Sequence, residues 1–111
     1  MTEGTLNKLM AVIESRKKDH PDNSYVSYLS NKGLNKILEK VGEETIEVIL
    51  ASKDAKITNN NENVIYETAD LLFHILVMLS VHNIHPKDIM NELENRFNIS
   101  GLEEKKNRQQ F

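Results

Sequence analysis

Five acidic residues dominate the chemistry legible in this chain. Glu43, Glu44 and Glu47 form the pattern Glu-Glu-x-x-Glu, and Glu67 and Asp70 form Glu-x-x-Asp. The second pattern runs directly into Leu71-Leu72-Phe73-His74-Ile75-Leu76-Val77-Met78-Leu79, which is apolar on nearly every side. A helix of that composition is a buried helix. Carboxylates at its mouth lose hydration, and several held close together repel one another. A hard divalent cation relieves both costs. Magnesium prefers oxygen ligands and keeps waters that a phosphate can displace. The pattern predicts metal-dependent chemistry on a phosphate compound.

At about 100° per residue, Glu44 and Glu47 lie along one side of a helix, and Lys40 and Ala51 share that side. Glu67, Asp70 and His74 line up in the same way on a second helix. Two antiparallel helices would then present Glu44 and Glu47 to Glu67 and Asp70. Such an oxygen-rich pocket suits one or two magnesium ions. Metal bridging of phosphate oxygens neutralises charge and polarises phosphorus for attack by water. Taken singly, each glutamate reads as a solvated helix face. The matched three-residue spacing beside a buried helix argues against that for Glu44 and Glu47, while Glu43 fits either description. His74 among leucines reads first as a satisfied core residue; its functional role would be contact with a substrate phosphate or support of a ligand. A di-iron bundle would carry Glu-x-x-His repeats. Here Asp70-x-x-x-His74 occurs once, which speaks against iron. Lys32, Lys36, Lys40 and Lys53 flank the first acidic pattern. Each alone is a surface charge; together they can neutralise the end of a triphosphate that magnesium leaves uncovered.

Helices must position these groups. Thr5 is a candidate N-cap for a first helix with the apolar stripe Leu6, Leu9, Met10, Ile13 and Val12. Arg16-Lys17-Lys18 falls in its last turn, where cations suit the helix dipole. After a break at residues 19–23, Ser24 to Ser30 reads as a short helical turn containing Tyr25, Val26, Tyr28 and Leu29. Asn31-Lys32-Gly33 breaks the chain again. A second long helix is expected from about Leu34 to Lys53, with its core stripe at Leu34, Ile37, Leu38, Val41, Thr45, Val48, Ile49 and Ser52. Gly42 within it costs about 1 kcal/mol relative to alanine. It is either tolerated there or marks close approach of a ligand or helix. Residues 54–61 read as a polar loop. A third long helix runs from about Glu62 to His82, and Pro86 opens a fourth that ends near Phe97. Residues 100–111 read as a mobile tail. The whole chain, 1–111, reads as a single domain.

Composition points the same way. With 111 residues, four glycines, two prolines and 5% aromatics, the chain favours helices over a sandwich or barrel. The expected fold class is all-α: a bundle of about four main helices, completed by dimerisation. A chain this small does not easily bury a helix that is apolar all round, so Leu72, Phe73, Leu76 and Leu79 are expected to meet a second copy. A net charge of −3 leaves no footprint for nucleic acid. The absence of cysteine excludes disulfides and thiolate metal sites and suits a reducing cytoplasm. No apolar signal core opens the sequence, and the longest uninterrupted apolar run falls far short of a membrane span. No membrane partner is expected.

Three segments carry a family resemblance: Ser24-Tyr25-Val26-Ser27-Tyr28-Leu29, Lys32-Gly33-Leu34-Asn35-Lys36-Ile37-Leu38-Glu39-Lys40-Val41-Gly42-Glu43-Glu44, and Glu67-Thr68-Ala69-Asp70-Leu71-Leu72-Phe73-His74. Together they resemble phosphoribosyl-ATP pyrophosphatase of histidine biosynthesis, one of the all-α nucleoside-triphosphate pyrophosphatases. The tail from Ser100 to Arg108 is similar to that family's C-terminal segment. The acidic motifs alone would indicate only the superfamily; Lys-Val-Gly-Glu-Glu with Ala-Asp-Leu-Leu-Phe-His is far more specific. The resemblance implies hydrolysis of phosphoribosyl-ATP to phosphoribosyl-AMP and pyrophosphate, magnesium, and a dimer of helical hairpins. Carried over by motif position, Glu44, Glu47, Glu67 and Asp70 are the expected metal ligands, and Glu43 supports them or orients the water. Lys32, Lys36, Lys40 and His74 are the expected substrate contacts. The length and lack of cysteine do not accommodate the cyclohydrolase domain to which many members are fused, so a separate polypeptide is expected to act next. Two other readings fit the same residues. One is a housecleaning pyrophosphatase acting on dUTP, dCTP or damaged nucleotides. The other is a non-catalytic helical dimerisation module.

Overall fold

The structure, a computed structural model, describes residues 4–19 and 24–98. It is all-α, with no strand among the described residues. The helices are α1 (Thr5–Asp19), α2 (Tyr25–Lys32), α3 (Leu34–Thr58), α4 (Glu62–Val81) and α5 (Pro86–Asn98). The residues expected to form the tail lie outside the described residues.

The long helices α3 and α4 form a hairpin, and α1 and α2 pack across it. Ile37 on α3, Leu76, Val77 and Leu79 on α4, Met10 and Ile13 on α1, and Val26 and Leu29 on α2 make one buried core. Helix α5 packs on α1 alone among the larger contacts. Its Ile89, Met90, Leu93 and Phe97 remain largely in solvent.

Helix α3 is longer than its sequence suggested. Asp54, Ala55, Lys56 and Ile57 continue it to Thr58. Buried Ala55 gives this last part a packing role, and the chain turns only where Asn59 adopts φ 60° and ψ 24°. Asparagine tolerates that left-handed conformation better than most residues. The three residues left for the turn, Asn59 to Asn61, hold α3 and α4 close together. The inward positions of α3 also differ from the expected stripe. Ile37, Glu44, Ala51 and Ala55 are buried, whereas Leu38 and Ile49 are exposed. The expected stripe merged two faces: one against α4, and one that the single chain leaves uncovered. On α4, Leu76 and Leu79 are already consumed by the chain's own core and Phe73 packs against it; of the residues expected at a second copy, Leu72 alone is exposed.

Helix ends set the approach angles. The Ser27 N–H donates to Ser24 Oγ at 3.2 Å, which fixes the start of α2. Ser27 Oγ in turn donates to the Arg16 carbonyl at 3.0 Å and ties α2 to the end of α1. Gly33, at φ 95°, closes α2 and opens α3 in one residue, a conformation that suits glycine. At the first helix, Lys8 N–H donates to the Gly4 carbonyl at 2.9 Å, so the cap lies one residue before Thr5. An added side-chain carbon at Gly42 would meet nothing within 4 Å, so no neighbouring helix accounts for that glycine.

Helix α4 is long and apolar enough, by length and composition, to cross a membrane. Counting only its uninterrupted apolar run understated this. Its Leu76, Val77, Leu79 and Ser80 are buried among the other helices, and it carries Glu62, Glu67 and Asp70. Within the single chain 28% of its apolar stretch is buried.

Candidate active site

The α3–α4 hairpin brings Glu44 and Asp70 together. Glu44 is 7% exposed, and a carboxylate oxygen of it lies within 4.8 Å of one on Asp70. Glu44, Asp70 and His74 form a group whose ligand atoms all lie within 4.8 Å of one another. Burial, and then the adjacent Asp70 carboxylate, push the Glu44 carboxyl above its ordinary range; His74 and Lys40 pull it down. Two acids so placed do not both stay charged cheaply without a cation.

His74 is buried, and both of its ring nitrogens are engaged. Nδ1 lies 2.8 Å from the Asp70 backbone carbonyl, which can only accept, so Nδ1 carries the proton. Nε2 then accepts from the Tyr25 hydroxyl at 2.9 Å. Asp70 Oδ1 lies 3.5 Å from Nδ1. In this state His74 offers no free lone pair to a metal and no open side to a phosphate. It instead pins the turn of α4 that carries Asp70 and fixes Tyr25 against it. Tyr25 had read as one more apolar-face residue of a short helix. Its only sequence signal was its place in the Ser24–Leu29 segment, three residues before a second tyrosine.

Lys40 sits one turn before Glu44. Its ammonium pairs with Glu43 at 3.1 Å and with Glu44 at 3.7 Å. The hydrogen bond to Glu43 is the largest influence raising its pKa above the ordinary lysine value. Glu43 is half exposed and held in that pair. Glu47 is exposed and Glu67 half-buried, one turn from Glu44 and Asp70 on their own helices. Neither belongs to the close group of three. Lys36 is about 12 Å before Glu44 along α3 and pairs with Glu39 at 3.4 Å. Exposed Lys53 lies about 13 Å beyond Glu44. Lys32, at the end of α2, has its ammonium 5.9 Å from the centre of the Tyr28 ring.

A separate polar group sits some three turns past Asp70, at the end of α4. The Ser80 hydroxyl donates to Glu14 Oε1 at 2.6 Å, and Lys17 donates to the Ser80 carbonyl at 3.0 Å. Lys17 also pairs with Glu14 at 3.2 Å. Burial pushes the Glu14 carboxyl up, but Ser80 and Lys17 together pull it below its ordinary range. These groups satisfy one another and clamp α1 to the carbonyl end of α4. A depression of about 240 Å³ beside them, lined by Met10, Glu14, Asn83, Ile84 and His85, is remote from the acid pair.

An all-helical hairpin with a buried, facing acid pair and a lysine one turn away defines a class of all-α protein with a charged site on its central hairpin. The sequence profile of the phosphoribosyl-ATP pyrophosphohydrolase family matches residues 6–97. The chain belongs to that family, and it is a hydrolase of histidine biosynthesis that acts on the pyrophosphate bond of phosphoribosyl-ATP.

Proposed function

We propose that this hydrolysis, yielding phosphoribosyl-AMP and pyrophosphate, depends on magnesium held by the acid pair of the α3–α4 hairpin. The observation that carries the proposal is buried Glu44 facing Asp70, with their carboxylate oxygens within 4.8 Å. The donor set fits a hard cation. It is made of carboxylate oxygens, because both nitrogens of His74 are taken. Lys40, its nearest cation, is shared with Glu43. Glu47 and Glu67, one turn along, complete the set in this reading. When bound, the ion neutralises phosphate charge and polarises phosphorus toward water. Lys40 meets phosphate oxygens that the ion leaves free, and Glu43 holds the lysine in place. Tyr25 and His74 keep Asp70 aimed at α3.

The functional unit in this reading is a dimer. Ile46, Ile49, Leu50 and Ile57 on α3, with Ile65, Tyr66 and Leu72 on α4, are exposed in the single chain. Apolar surface of this extent along one hairpin matches a core cut in half. The absence of cysteine suits a reducing cytoplasm.

Release of pyrophosphate from phosphoribosyl-ATP, measured with magnesium and with chelator, tests the reading. Turnover should vanish with chelator and return with added magnesium. Full activity in chelator would refute the metal dependence. Running dUTP and dCTP beside phosphoribosyl-ATP tests the substrate.

A further inference from the structure

Helix α2 carries Tyr25 and Tyr28 one turn apart, on the same side. Their rings lie 6.0 Å apart, centre to centre, with planes only 16° from parallel. Phe73 of α4 extends the row on the other side of Tyr25, again at 6.0 Å and 23°. Phe73 packs against the core. The two tyrosines do not: Tyr25 is 42% exposed and Tyr28 45% exposed. The row therefore ends in two solvent-facing rings of nearly common orientation.

Its inner end is tied to the acid pair. The Tyr25 hydroxyl is hydrogen-bonded to His74, whose Nδ1 lies 3.5 Å from Asp70 Oδ1. From there the aromatic surface leads outward to Tyr28 and the Lys32 ammonium. Because Tyr25 adjoins Asp70 through His74, a ligand whose polyphosphate lies at Glu44 and Asp70 can bring its next groups to these rings. A purine is flat, and its π-face stacks on aromatic side chains whatever its edge substituents. A nearly parallel pair suits that contact. The lysine over Tyr28 is no obstacle, since an exposed cation–π contact is weak and the lysine stem is flexible.

We propose that the Tyr25–Tyr28 face is the platform on which the purine base of the substrate stacks, with Tyr28 the main contact. The proposal rests on the reading that Glu44 and Asp70 hold the polyphosphate end. It supplies the base recognition that the acidic motifs do not contain.

The test is calorimetric titration of the magnesium-loaded protein with two probes, ATP and inorganic tripolyphosphate. Wild type, Tyr28→Ala and Tyr28→Phe are compared. Stacking predicts that Tyr28→Ala weakens ATP by roughly five- to 150-fold, leaves tripolyphosphate unchanged, and that Tyr28→Phe stays near wild type for both. An unchanged ATP affinity in Tyr28→Ala would overturn the platform. So would an equal loss for both probes, or a change of oligomeric mass by light scattering, each of which marks a structural role for the ring. A wild type that fails to bind tripolyphosphate would instead sink the phosphate-site reading on which the proposal stands.

Discussion

Replacing Glu44 with glutamine removes one charge from the buried acid pair while keeping the side chain's length and shape. Glu44 is buried against Asp70, and burial first, then that neighbour, raises its pKa above the ordinary glutamate value of 4.5. A folded-state pKa above the unfolded one gives stability that is complete below the unfolded value. That stability is lost as pH rises through the folded value. Above that folded value the metal-free wild type carries the unfavourable ionised pair. The glutamine variant does not, and its amide can donate to the Asp70 carboxylate. A hydrogen bond to a charged group contributes about 1.5–3 kcal/mol, and part of it replaces the contact already present. The metal-free variant should thus be more stable near neutral pH by about 1 kcal/mol, or about 4–8 °C in melting temperature for a domain of this size. Toward pH 4.5 the gain should shrink, because the raised pKa of the wild-type carboxyl favours its protonated form there. In the proposed site, magnesium should invert the order. At an ion concentration 100 times its Kd, the wild type gains about 2.7 kcal/mol. If loss of the carboxylate weakens the ion by about 100-fold, the variant gains only about 0.4 kcal/mol. Pyrophosphate release should fall by about 100-fold or more. Thermal melts at both pH values, with chelator and with magnesium, read all of this. An equal magnesium shift in the two proteins, or a metal-free variant that melts lower near neutral pH, would refute the reasoning.

Asp70→Asn should cost a similar factor of about 100 in turnover. The bond from His74 to the Asp70 backbone carbonyl does not involve the substituted side chain, so the variant should fold normally by circular dichroism. Glu47→Gln changes an exposed residue, so stability should hold while turnover drops by about 100-fold; near-normal kinetics would remove Glu47 from the donor set. Lys40→Ala deletes the pairs with Glu43 and Glu44. Catalytic efficiency should fall more than about threefold with the magnesium-dependent melting shift intact, because a surface i,i+4 pair alone is worth only about 0.3–0.5 kcal/mol. Ile49→Lys places a charge on a residue 53% exposed in the single chain. Light scattering should show a dimer for the wild type and a monomer for the variant, and a monomeric wild type at micromolar concentration would count against the shared hairpin face.

Helix content, the order of the four long helices and the acid-bearing hairpin were legible from periodicity and breaks, because those signals are local. Pro86 marked the start of α5, and the break read at residues 31–33 narrows to Gly33, since Asn31 and Lys32 stay in α2. The end of α3 was not legible. Residues 54–58 are polar enough for a loop, and only the burial of Ala55 against the hairpin makes them helix. The roles within the acidic motifs were equally closed to the sequence. Glu44 and Glu47 share a spacing and a chemistry, yet one is buried against Asp70 and the other faces solvent, a choice set by the crossing of α3 on α4. The lysines looked alike too, and distance along α3 separates Lys40 from Lys36 and Lys53.

What the sequence determined by itself is therefore the set of groups and the class of chemistry. Carboxylates in matched helical spacing beside an apolar helix mark an acidic site, and the family motifs state which phosphate compound is cleaved. Only the tertiary structure decided which acids meet, that His74 is spent on Asp70 and Tyr25, and that Tyr25 belongs beside the site at all. The physical reason is range. Helix formation and amphipathicity act between residues three or four apart. By contrast, the contact of Tyr25 with His74 spans 49 positions and exists only because the short helix α2 is seated across the hairpin.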